Sequence, residues 1–124
     1  MDNHSRFSQG KLMALAMESD AQIYTIAVCG PRVQYVKNIT SFGGKQGLLF
    51  LDDLAAKTGG LSFEAHDRAE VARAAAGIGR ALRNQYIIGY VPQVDGRNGK
   101  WRKIKVRVAG PGMRAYARVG YRLD

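Results

Sequence analysis

The chain has 124 residues, 46% of them apolar and 23% charged, the balance of one globular domain and not of a disordered segment. Its formal charge of +9 favours contact with polyanions such as nucleic acid, anionic lipid or acidic polysaccharide, and selects none of them. The single cysteine, Cys29, excludes an internal disulfide framework and a cysteine-based zinc site, and its place at the end of an apolar run is that of a small buried thiol.

Ser8 is placed to cap a helix in which Leu12, Leu15 and Ala16, with Met13 and Met17 beside them, recur at helical spacing up to about Ser19. Residues Gln22 to Val28 are β-branched and aromatic and apolar on both faces, which predicts a central, parallel-type strand covered on both sides. Cys29-Gly30-Pro31 stops it, and the turn residues up to Gly47, Gly43-Gly44 among them, predict a loop. From about Leu48 to Thr58 one stripe of Leu48, Leu51, Leu54 and Ala55 predicts a second helix, with Gly59-Gly60 supplying a left-handed cap. A short strand, Leu61 to Ala65, follows. Asp67 then opens a capping box with Glu70, and Val71, Ala75, Ile78 and Leu82 recur at i, i+4, i+7 and i+11. Gly77 and Gly79 each lower helix propensity by about 1 kcal/mol relative to Ala, which points to close packing against a neighbouring element.

Gln85 to Val91 is nearly all apolar, and Pro92 closes it where a ladder donor is dispensable. The period then changes to two: Ile104, Val106 and Val108 alternate with Lys103, Lys105 and Arg107. After Ala109-Gly110-Pro111-Gly112, Met113, Ala115, Ala117 and Val119 alternate with Arg114, Tyr116 and Arg118. The expected fold class is α/β. A helix-strand-helix-strand-helix portion over 1–84 is followed by an antiparallel three-stranded β-meander over 85–124, with the seam at Gln85.

The junction R-A-L-R-N-Q-Y-I-I-G-Y-V-P, the strand D-G-R-N-G-K-W-R-K-I-K-V-R-V and the closing P-G-M-R-A-Y-A-R-V-G-Y resemble the C-terminal part of bacterial von Willebrand factor type A related proteins, the kind abundant in acidobacteria. D-N-H-S-R-F-S, Q-I-Y-T-I-A-V and L-A-A-K-T-G-G-L-S-F look like the second half of the same family in the same order. The resemblance covers almost the whole chain and is most specific over residues 80 to 121. It implies part of a doubly wound, Rossmann-like three-layer unit that recognises protein or matrix in the cell envelope or outside the cell. It also implies a magnesium or other divalent cation at a metal-ion-dependent adhesion site, yet the Asp-x-Ser-x-Ser loop of that site does not occur here. By alignment the last metal Asp falls just before Met1, and Asp2 is no substitute for it. The upstream strands and helices are therefore expected outside this chain, and a sheet cut there is expected to expose apolar edges, or to cover them by homodimerisation or by re-pairing its own strands.

Few residues suggest catalysis. Asp52 and Asp53 are adjacent on a predicted helix and point about 100 degrees apart, so they do not converge on one atom. Asp67 is accounted for by capping and His66 by a solvated turn, while His4, Asp2 and Ser5 belong to a polar tail. Gly43-Gly44-Lys45 lacks the flanking residues of a phosphate loop. No enzyme, no cofactor and no metal ligand is expected from these residues. The feature with binding potential is the C-terminal hairpin, where Trp101, Lys103, Lys105, Arg107, Arg114, Tyr116 and Arg118 share one face by parity, with Arg122 beside them. Such a face suits single-stranded nucleic acid, and it equally suits a solvated strand that resists edge-to-edge aggregation. The leading expectation is a non-enzymatic protein or matrix recognition module; the alternative is a small basic nucleic-acid-binding protein. No apolar stretch approaches the roughly 20 residues that span a bilayer, and the polar opening residues do not form a signal peptide.

Overall fold

The Ser8 hydroxyl accepts the Lys11 N–H, which starts helix α1 over Gln9–Glu18 in this computed structural model, where residues 7–30, 42–91 and 99–122 are described. At its other end the Ser19 N–H donates to the Leu15 carbonyl and the Ser19 hydroxyl to the Ala16 carbonyl, closing the last turn. Ala16 is buried, Met13 and Met17 are half-buried, and Leu12 and Leu15 stay largely exposed.

Strand β1, Thr25–Val28, and strand β2, Ser62–Ala65, form a parallel pair in the register Thr25 with Ser62 through Val28 with Ala65. Parallel strands need a crossover, and helix α2, Phe42–Thr58, supplies it. This corrects the expected loop to Gly47: the helix starts at Phe42, so Gly43, Gly44 and Lys45 lie within it. The stripe assigned to this helix packs inward, with Leu54 and Ala55 buried and Leu48 and Leu51 half-buried.

The end of α2 joins three parts of the chain. Gly59 adopts φ +85° and the Gly60 N–H donates to the Ala55 carbonyl, a Schellman-type stop. The buried Thr58 hydroxyl donates back to Leu54 and accepts the Ile23 N–H at 3.1 Å, which fastens the helix to the chain entering β1. The Lys57 carbonyl accepts the Val119 N–H at 3.2 Å. A β-carbon on Gly59 would lie 2.6 Å from the Arg118 nitrogen, and one on Gly60 would strike the Ile23 carbonyl. Backbone thus packs on backbone on both sides of this glycine pair.

Helix α3, Arg68–Arg83, opens with the expected Asp67 cap, while Glu70 reaches back to the residue before the cap and not to the cap itself. The Asp67 carboxylate accepts the Glu70 N–H at 2.7 Å, and the Glu70 carboxylate accepts the His66 N–H at 2.7 Å. The neighbour implied by Gly77 is Phe63 of β2, whose ring lies 3.3 Å from where a β-carbon would stand; Gly79 meets only the Arg83 side chain, at 3.5 Å. The buried stripe differs from the predicted one. Ala74 is buried with Val71 and Ile78 half-buried, whereas Ala75 and Leu82 face out, because Phe63 centres the contact on Gly77.

Two expectations for the strands are corrected. Among the described residues β1 is not central: the sheet has two strands, and Val28 is 72% exposed. Among the described residues the C-terminal part is a two-stranded antiparallel ribbon in place of the expected three-stranded meander, with β3, Trp101–Lys103, paired to β4, Gly120–Arg122. One more bond, from the Ile104 N–H to the Val119 carbonyl at 2.8 Å, extends the ribbon before its arms leave the ladder. Residues 85–91 join neither sheet. Val106, Val108, Met113 and Tyr86 to Val91 alternate or run as strands should, yet among the described residues no layer covers them, and an uncovered ribbon gains little from pairing. Among the described residues the buried apolar core is correspondingly thin: Ala16, Ala27, Leu54, Ala55, Ala65 and Ala74, five alanines and one leucine.

Candidate partner-binding basic face

The ribbon register pairs Trp101 with Arg122 and Lys103 with Gly120, so odd positions on one arm share a face with even positions on the other. The ladder fixes this for Trp101, Lys103, Gly120 and Arg122, while Lys105, Arg107, Arg114 and Tyr116 lie outside it. Lys103, Lys105, Arg107, Arg114 and Tyr116 are all exposed. From Gly99 to Arg122 the sequence holds no Asp or Glu, so the arms carry an unbalanced positive field.

Trp101 and Arg118 do different work. The Trp101 indole lies over Gly120, where a β-carbon would meet it at 2.6 Å, so glycine is required there for the ring to seat. The Arg118 guanidinium reaches α1: it donates to the Asp20 carboxylate at 2.6 Å and to the carbonyls of Met17 and Ser19 at 3.0 Å each. A cation there satisfies orphan carbonyls and the negative end of the helix dipole. Arg118 is thus a fastening between ribbon and α1 and is not presented to a partner. Between them, Met17, Glu18, Trp101, Arg118, Tyr121 and Arg122 border a groove of about 350 Å³. Asp20 gave no sequence signal as the Arg118 partner, since the two stand 98 residues apart. Tyr121 also meets Tyr90 edge to face at 6.1 Å, and hydrogen bonding between the two phenols raises Tyr90 above its ordinary pKa.

A second groove, about 410 Å³, runs beside α3 past Phe63, His66, Glu70, Arg73, Gly77 and Arg80. His66 Nδ1 lies 3.1 Å from the Glu70 carboxylate, and Arg73 lies 3.7 Å from the same group. Glu70 also holds the helix start, so this carboxylate is engaged on three sides. Asp53 pairs with Lys57 at 2.7 Å on exposed α2, away from both grooves. The divalent cation that the von Willebrand A resemblance implies does not fit the residues present: Asp-x-Ser-x-Ser is missing from the sequence, and the described residues include no group of three or more His, Cys, Asp or Glu suited to an ion. Asp2, His4 and Ser5 lie outside the described residues. No helix among the described residues is long and apolar enough to cross a membrane.

No protein family, curated protein or solved structure matches the chain.

Proposed function

We propose that the chain is a non-enzymatic recognition module of von Willebrand A type that engages a protein partner by strand addition. The observation that carries this reading is the segment Gln85–Val91, in which Tyr86, Ile87 and Ile88 are 92%, 101% and 77% exposed beside a parallel pair with no third strand among the described residues. Open main-chain edges and an uncharged run of strand-forming side chains are the two halves of strand-addition recognition. The family assignment is supported by the order β1, α2, β2, α3 with parallel pairing, which is the repeating unit of a doubly wound sheet. A place in the cell envelope or outside the cell comes with that assignment.

A second reading is favoured by one specific observation, the exposed, acid-free arms of the ribbon. Lys103, Lys105, Arg107 and Arg114 would neutralise phosphates of a single strand while Tyr116 stacks on a base. Titrations with a labelled oligothymidylate and with an apolar seven-residue strand peptide, each repeated from low to high salt, separate the two. Peptide binding that survives salt is the expected result. Oligonucleotide binding alone, falling with a log-log slope of about −0.7 per neutralised phosphate, would replace the first reading by the second.

A further inference from the structure

We propose that two copies of the chain pair by reciprocal strand addition, Gln85–Val91 of one copy lying along the outer edge of β1 of the other. The inference rests on the protein-recognition reading above and names its partner. In β1 the Thr25 N–H donates to the Leu61 carbonyl at 3.0 Å and the Cys29 N–H to the Ala65 carbonyl at 2.8 Å. The backbone groups of Ile26 and Val28 therefore point away from β2, and among the described residues no strand meets them. A parallel pair open on this edge, with Val28 largely in water, is a state that strands of this type leave when a neighbour is available.

The chain carries a neighbour of the right chemistry. Gln85–Val91 is a strand's length and holds no charged residue, and Tyr86, Ile87, Ile88, Tyr90 and Val91 are strand formers exposed to solvent. Its own β1 is not where it goes. Gln85 bonds to the side chains of Gln22 and Tyr24 at the head of β1, and Tyr90 then docks on Tyr121, leading the segment to the ribbon. Donor and acceptor stand on one chain, so a two-fold arrangement satisfies both at once and leaves no open end. Charge sets a signature. Each copy carries +9, yet neither Gln85–Val91 nor Thr25–Val28 contains a charged residue, so the repulsion comes from the periphery and salt screens it. Pairing therefore tightens as salt rises, opposite in sign to polyanion binding.

Sedimentation equilibrium on the whole chain tests this. The expected result is a dimer whose dissociation constant falls from low to high salt. Ile87→Lys with Ile88→Lys removes the donor and Val28→Lys removes the acceptor; all three side chains are mostly in water, so circular dichroism should stay unchanged. Each variant alone is expected to dissociate roughly 100-fold more readily, because pairing would bury an unpaired ammonium. An equimolar mixture should recover heterodimer, since it brings one intact donor to one intact acceptor. A monomeric wild type, a donor variant that dimerises like wild type, or undiminished dimer in Val28→Lys each overturns the proposal, the last in favour of segment pairing with segment. A synthetic Gln-Tyr-Ile-Ile-Gly-Tyr-Val peptide separates this failure from that of the broader reading. If the wild type is monomeric yet the peptide slows exchange of the Ile26 and Val28 amides, the second copy is excluded and strand addition stands; if it does neither, both fall.

Discussion

Gly60→Ala is expected to cost about 3 kcal/mol or more, a large share of the roughly 5–15 kcal/mol that holds a domain of ordinary stability folded. A β-carbon there strikes the Ile23 carbonyl, a backbone atom that moves only if the chain entering β1 moves with it. That chain is held by the Thr58 hydroxyl and by the β1 ladder, so relief on one side breaks bonds on the other. Gly59→Ala adds strain of a second kind, since φ +85° disfavours any β-carbon and the space is already filled by the Arg118 nitrogen. Gly47→Ala is the control: it lies inside α2 with nothing within 4 Å of the new carbon, and should stabilise by up to about 1 kcal/mol. Urea unfolding of the three variants reads all of this, and equal midpoints for Gly60→Ala and wild type would remove the clamp from the account.

Lys105→Glu combined with Arg107→Glu is expected to weaken oligonucleotide binding on the order of 100-fold and to leave the fold intact. Both side chains are exposed on arms outside the ladder, so little packing is at stake. Two lost phosphate contacts flatten the salt dependence by about 1.4 in log-log slope, and the two new carboxylates repel the strand besides. The companion change Arg118→Glu should behave differently, because Arg118 holds Asp20 and the end of α1: stability falls while the salt slope stays as it was. An oligonucleotide affinity unchanged by the double reversal would take the ribbon out of consideration as a nucleic-acid surface.

Local chemistry was readable in advance wherever a residue and its partner are near in sequence. Ser8, Asp67 and Gly59 each act within about four residues, and all three caps appear as their spacing required. The parallel character of β1 was readable as well, since Gln22 to Val28 is apolar on both faces. Alternation in the sequence says nothing of coverage. Val106, Val108 and Met113 have the spacing of a half-buried strand, and whether a layer lies over them is a property of the rest of the molecule. Arg118 was misread for a related cause: alternation assigns a face, while its partner on α1 belongs to a distant part of the chain. The same holds for α3, where the choice between two overlapping stripes was made by the Phe63 ring and not by the helix.

The glycine clamp and the Arg118 fastening also impose an order of assembly. Thr58 and Ile23 close a loop of 35 residues, whereas Arg118 and Asp20 close one of 98, which costs about 1 kcal/mol more in chain entropy. The β1-α2-β2 unit should therefore form before the ribbon comes to rest on it. The sole tryptophan, Trp101, sits in that last piece to arrive, so its emission during refolding should trail the helical signal; a simultaneous rise would mean that the ribbon takes part in the folding nucleus.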